Sequence, residues 1–500
     1  MLEWIDEEFG NCHLGDRRLV ARLKKIVLRM WQGPSQSLSA ACRGFAEVIA
    51  CSRFFSNAAL TQSQLLAPHR QGSLERVKQH AQVLHIEDTT ELDFTTKKKL
   101  QGTGRLSFSK QRGFLAHNEL LVSPERLPLG VWETRIQARQ DQQKAEGDKH
   151  QNKPIEQKES YRWLEGYRHA CEVAQLAPGT QVILCADREA DIYEIFAEHQ
   201  NRLTAGEPAA SWLIRSKTDR CLEPFENEQI PPPAEQSSPP AKKSKKPAKP
   251  KIQQRLGLSP VLGTISFPVP AKERSKKIKG GRGSTRKVSR SKRVVTQEIR
   301  AIQVQLRAPY RKGRKLPAVQ IWVIQAKEID PPAGQEPIDW TLITSLEAKD
   351  FEQARAVLNL YLCRWEIEVF HRVLKTGCGV EELQLRTSPR IKLAILLYMI
   401  VAWRVLYVMH LGRQCPDLPC SVVFEDDEWQ SSWVIIKGGS PPQNPPSLNE
   451  MVRMVASFGG FLGRKGDGHP GPKTIWIGLS RVQDFAFCWL QTAHLRAASG

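Results

Sequence analysis

No apolar run in this chain is long enough to span a bilayer: the longest, Leu393 to Trp403, stops at Arg404, short of the ~20 residues required. It reads as a buried helix. The first eight residues, Met-Leu-Glu-Trp-Ile-Asp-Glu-Glu, are acidic and lack the basic flank and apolar stretch of a signal peptide. The eleven cysteines, odd in number and scattered, fit reduced thiols in a cytoplasmic protein better than a disulfide framework. Cys415 and Cys420 have no second Cys/His pair at finger spacing to complete a zinc site. The chain also lacks a Gly-x-x-x-x-Gly-Lys-Ser/Thr phosphate loop, a Gly-x-Ser-x-Gly elbow and a His-Glu-x-x-His pair. ATP-driven and zinc-peptidase chemistries drop out, and no internal repeat is present.

What is abundant is positive charge. A formal net charge of +20 points to a polyanionic partner, and 500 residues exceed one core and predict two to four domains. Residues 1 to about 75 have helical spacing, with Arg17, Arg18, Arg22 and Lys24 available as a DNA-facing edge or as a solvated helix face. From Gln82 the pattern turns to strands at Val83–Ile86, Leu115–Val122 and Val131–Ile136. A helix (Tyr161–Leu176), a strand (Val182–Ala186), a helix (Ala190–His199) and a strand (Ser211–Ile214) follow. That order, with acids at strand ends, suits a ribonuclease-H-like core. A Pro/Ser/Lys tract from Pro231 to Lys251 reads as a linker, and residues 255 to 345 read as an all-β insertion with basic turns. The expected division is a helical N-terminal domain (1–75), a catalytic domain (76–410, core 76–219 and 341–410, β insertion with its linker 220–340) and a helical C-terminal domain (411–500).

The stretch from Asp350 to Thr376 carries no Pro or Gly, which predicts one helix capped by Gly377. At about 100° per residue, Tyr361, Arg364, Glu368 and Lys375 fall within roughly 60° of one another, so a single carboxylate stands among donors. Glu366 lies near 140° on the same wheel, away from them. Leu358, Leu362, Trp365, Val369, Phe370 and Val373 occupy most of the remaining surface as its buried side. The alternative for Glu368 is an ordinary i,i+4 surface pair with Arg364.

Metal-assisted phosphodiester chemistry needs only a few carboxylates, because Mg²⁺ takes hard oxygen ligands and keeps water and phosphate as the others. Asp88, Asp187 and Glu368 are the candidates. Asp88 has Glu87 and Asp93 as neighbours and competitors. Asp187 has Asp191 as a competitor, which reads as part of the first turn of the following helix, and an acid at a strand end is equally a helix cap.

These residues carry a resemblance. Tyr361-x-x-Arg364-x-x-x-Glu368-x-x-x-x-x-x-Lys375 resembles the Tyr-Arg-Glu-Lys signature of the insertion-sequence-four family of bacterial DDE transposases, Tn-five-type enzymes among them. His-Ile-Glu-Asp88-Thr-Thr, Cys-Ala-Asp187-Arg-Glu-Ala and Arg-Trp-Glu-Ile-Glu368-Val-Phe-His resemble its three catalytic motifs. Leu14-Gly-Asp-Arg-Arg18, Arg215-Ser-Lys217, Asp339-Trp340-Thr-Leu-Ile-Thr344 and Phe458-Gly-Gly-Phe461 extend the match along the chain. The resemblance implies cut-and-paste transposition on a ribonuclease-H-like core. Asp88, Asp187 and Glu368 would hold two Mg²⁺ ions, for which Mn²⁺ substitutes, and Tyr361, Arg364 and Lys375 would hold DNA phosphate. Trp340 would support a flipped base. Arg17, Arg18, Arg22 and Arg53 would contact the element's ends, with Arg215 and Lys217 as further DNA contacts. The implied partners are double-stranded DNA, with terminal inverted repeats and a target, and a second copy joined through the C-terminal domain in a synaptic complex. The implied location is the bacterial nucleoid. A noncatalytic DNA-binding regulator and a structure-specific nuclease on the same fold are the other readings.

Overall fold

The computed structural model describes residues 2–108, 110–139, 153–223, 249–269, 272–277, 285–290, 292–311 and 313–492. The chain is mixed α/β. Five helices open it: α1 (Glu3–Glu8), α2 (Arg17–Gln32), α3 (Leu38–Ala41), α4 (Phe45–Phe55) and α5 (Gln62–Val77). Their starts are written locally. Asp16 caps α2 by accepting from the Arg18 N–H, and Thr61 and Gln64 form a reciprocal capping box on α5. Strands β1 (Gln82–Asp93), β2 (Gly104–Arg105), β3 (Arg112–Val122) and β4 (Pro128–Gln137) precede α6 (Tyr161–Leu176), β5 (Gln181–Ala186), α7 (Tyr193–Ala205) and β6 (Ser211–Arg215). This is the expected strand and helix order.

The next segment holds β7 (Leu222–Glu223), α8 (Ile252–Leu258), β8 (Gly263–Val269), β9 (Lys272–Lys277), β10 (Thr285–Arg290), β11 (Arg293–Leu306), β12 (Val319–Glu328) and β13 (Asp339–Thr344). It is mostly β, but α8 departs from the all-β expectation: Ile252 and Leu256, four residues apart, are both buried on one face of it. The Pro/Lys tract lies outside the described residues except for 249–251. Then come α9 (Phe351–Leu362), α10 (Trp365–Arg372), α11 (Ser388–Gln414), α12 (Asp426–Lys437), α13 (Leu448–Phe458) and α14 (Pro472–Gln491).

The chain forms two compact units, and the division falls within α6, within β5 and between α9 and α10. The first comprises Met1–Asp148, His169–Ile183 and Cys363–Gly500. In it β3 pairs antiparallel with β1 on one edge and with β2 and β4 on the other. Helix α11 packs on β4 and α5, with α13 and α14 beside it. By length and composition α11 is the one helix among the described residues that would cross a membrane, yet its apolar window is 89% buried inside the protein. In the second unit, Lys149–Arg168 and Leu184–Leu362, the antiparallel order is β6-β13-β12-β11-β7, with β8 also on β11. No disulfide occurs among the described residues.

Candidate active site

The helix expected over Asp350–Thr376 is broken. Helix α9 ends at Leu362, and α10 starts at Trp365 after a tightened turn in which the Glu366 and Ile367 N–H groups reach back only three residues, to Cys363 O (3.0 Å) and Arg364 O (3.3 Å). Val373–Gly377 then widens into a π-helical turn. The residue that reverses the chain is Gly379, at φ 58°, not Gly377. Gly377 is required for another reason: a Cβ there would stand 2.9 Å from Cδ2 of Trp476. The single wheel therefore does not run through, and Trp365, expected on the buried side, is 45% exposed.

Within the first unit, Arg364 is buried at the start of α10 and meets two acids. Its guanidinium donates to Glu368 Oε1 at 2.6 Å and lies 3.5 Å from Asp88 Oδ2. Both carboxylates remain partly open to solvent, their side chains 39% and 21% exposed. Asp88 sits in the middle of β1, where a strand end was expected; β1 continues five residues further because Thr89–Asp93 keep pairing with β3. Lys375 donates to the Glu91 carbonyl at 2.7 Å and lies 3.4 Å from Glu381, whose carboxylate also accepts from the Asp93 N–H. Glu366 is on the other side of α10, as the wheel places it, buried against His410 (3.0 Å) and Arg126 (3.5 Å).

The opposite face of β1 carries a buried row that the sequence reading missed. His117 bonds Thr89 Oγ1 at 2.9 Å and lies 3.4 Å from Glu87, which is 3.7 Å from His85. His85 is 3.3 Å from Glu119, and His169 closes the row at 2.9 Å. Burial pushes the Glu119 carboxyl up, but bonds and charge from His169 and His85 hold it well below the usual carboxylate range. Glu87 thus serves the interior while its neighbour Asp88 faces the other way, since side chains alternate along a strand.

In the second unit, Asp187 follows β5 and accepts from the Glu189 N–H at 2.7 Å. Asp191 is buried and, rather than opening a helix, binds Arg220 and accepts from the N–H groups of Lys217 (2.7 Å) and Thr218 (2.9 Å). Trp340, half-buried in β13, meets Tyr361 edge-to-face with ring centroids 6.2 Å apart, and Tyr361 is 4% exposed. Arg215 reaches the Asp339 carbonyl at 3.4 Å, and the Lys217 side chain is exposed. At the N-terminal end of the chain, Arg17, Arg18 and Arg53 are exposed and Arg22 is half-buried, whereas Lys24 is paired with Asp6 at 2.8 Å.

Three family models match the chain in order: a transposase DNA-binding model over residues 1–60, a transposase DDE domain over 234–404 and a Tn5 transposase dimerisation domain over 400–493. The chain belongs to the DDE transposases and resembles that of Tn5. This transposase is therefore an enzyme of DNA cleavage and strand transfer that binds DNA, forms dimers and depends on a divalent metal, generally Mg²⁺. The DDE match includes Trp340, Tyr361, Arg364, Glu368 and Lys375, and excludes Asp88 and Asp187. Among the described residues no three His, Cys, Asp or Glu side chains of the transposase form a ready metal cage. Two partly exposed carboxylates with room for water and phosphate oxygen nevertheless fit what Mg²⁺ asks of a protein.

Proposed function

We propose that the transposase, a member of the insertion-sequence-four family, performs cut-and-paste transposition on a ribonuclease-H-like core interrupted by the β-rich segment. The observation that carries this reading is Arg364, whose one guanidinium meets both Asp88 and Glu368. Acids from a strand and a helix far apart in sequence converge on one partly exposed spot. Asp88 and Glu368 would hold the metal there, and Asp187, in the other unit, is assigned the same role from its motif alone. Two bound Mg²⁺ ions would polarise the phosphodiester and acidify the attacking hydroxyl.

The rest of the work falls to the chain. Arg364 and Lys375 bind the phosphate being transferred, and Tyr361 assists them. Trp340 offers a face on which an unstacked base rests while a hairpin forms. Successive in-line attacks by water, the freed 3′-hydroxyl, a second water and again the 3′-hydroxyl nick the element's end, close a hairpin, open it and join target DNA. Arg17, Arg18, Arg22 and Arg53 contact the terminal repeats, with Arg215 and Lys217 along the DNA. The match to a DNA-binding model at 1–60 and to a dimerisation model at 400–493 supports a division into end-reading, catalytic (76–410) and pairing domains, working as a homodimer on the cytoplasmic nucleoid.

The test is incubation of the purified protein with Mg²⁺ and DNA bearing the inverted repeats that flank its own gene. End cleavage and strand joining are expected, and both should vanish in Glu368→Gln. Cleavage retained by that variant would sink the site assignment. Binding without cleavage by the native chain would favour a regulator.

A further inference from the structure

Asn118 stands directly opposite Asp88 in the β1–β3 register. Directly paired residues of an antiparallel sheet share a face, so Asn118 points to the side on which Asp88 meets Arg364. It is fully buried. Its amide Nδ2 lies 2.9 Å from Nε2 of His371, and its Oδ1 accepts from the Thr134 hydroxyl at 2.6 Å. His371 is on α10, three residues after Glu368 and hence on the neighbouring turn. An amide nitrogen can only donate, so His371 accepts at Nε2. Burial first, then the charges of Lys375 and Arg364, push the His371 imidazolium down to about 3, so the ring is neutral and able to accept at any working pH.

The strand pair bearing Asp88 and the helix bearing Glu368 are thus joined twice. Arg364 touches the two acids themselves and is a group that DNA phosphate competes for. Asn118–His371 touches neither acid, is sealed from solvent and carries no charge, so neither metal nor DNA displaces it. We propose that Asn118 and His371 are positioning residues for phosphoryl transfer, fixing α10 against β3 so that Asp88 and Glu368 face the same cation when Arg364 turns to the DNA. The inference rests on the reading of Asp88 and Glu368 as metal-holding acids. That reading has its own test in Glu368→Gln, which must be inactive whether or not Asn118 and His371 matter.

In the full-length protein, His371→Phe keeps the ring but removes the acceptor, Asn118→Ala removes the donor, and His371→Gln supplies an acceptor of similar reach. Each is assayed for thermal unfolding, for gel-shift affinity to its terminal-repeat duplex in Ca²⁺, and for cleavage rate against Mg²⁺ concentration. Groups that orient metal-holding side chains typically contribute roughly 10- to 100-fold in metal affinity or activity. The expected result is a rise of that order in the Mg²⁺ half-saturation of His371→Phe and Asn118→Ala, with repeat affinity within about twofold of the parent, and substantial recovery in His371→Gln. A parental Mg²⁺ curve in His371→Phe would overturn the proposal. So would failure of both His371→Phe and Asn118→Ala to fold, which would make the contact a matter of stability alone.

Discussion

Two glutamates two residues apart on α10 do different jobs, and single substitutions separate them. Glu366 is buried between His410 and Arg126, so Glu366→Ala leaves polar groups without their partner and should cost about 1–3 kcal/mol in urea unfolding. Glu368→Gln, partly exposed, should change stability by no more than about 0.5 kcal/mol while removing cleavage. A third glutamate, Glu428 on α12, is buried and accepts from the Gln483 amide; burial pushes its carboxyl up to about 7. Between its ordinary value near 4.5 and about 7 the unfolded chain gives up this proton and the folded chain keeps it, so stability falls as pH rises through that window. Glu428→Gln should flatten this fall, raising stability at pH 8 by at most about 3 kcal/mol and leaving it unchanged at pH 4, as thermal melts at the two pH values would register. That Glu366 and Glu368 face different ways was legible in the sequence because it depends only on helical spacing over four residues. Asn118 was not, because its pairing with Asp88 depends on a strand register set by residues about thirty positions away in the chain.

At the level of elements, the sequence signals that held were those with local causes: the strand after Gln181 and the apolar body of α11. Those that failed involve packing. A stretch without Pro or Gly predicts one helix from Asp350 to Thr376, yet the chain tightens at Cys363–Arg364 and widens at Val373–Gly377. The π-helical turn puts Gly377 against Trp476 of α14, where a side chain has no room. Gly377→Ala should therefore destabilise by about 1–3 kcal/mol despite alanine's higher helix propensity, with a lowered unfolding midpoint as the measure. A midpoint that rose would mean that the turn is governed by propensity and not by the tryptophan.

For the whole molecule, the net charge of +20 makes DNA affinity steeply dependent on salt. The Pro231–Lys251 tract carries six lysines, at 242, 243, 245, 246, 249 and 251. If all six neutralise phosphates, deleting the tract should shallow the slope of log affinity against log salt by up to about 5, at about 0.9 for each contact. A slope unchanged on deletion would assign those lysines no part in DNA binding. Affinity titrations from 50 to 300 mM salt on a duplex without terminal repeats provide the comparison.

The shared guanidinium of Arg364 has a thermodynamic corollary. While it rests on Asp88 and Glu368, a cation entering the site competes with it for the same oxygens; once a DNA phosphate draws it away, the two carboxylates attract the cation more strongly. If the acids hold the metal as proposed, metal and DNA would be heterotropic ligands of one site, each tightening the other by the same factor. Titration calorimetry with Ca²⁺ should find its affinity raised by terminal-repeat DNA, and raised far less in Arg364→Ala. The enzyme would in this way be sparing of metal until there is a strand to cut.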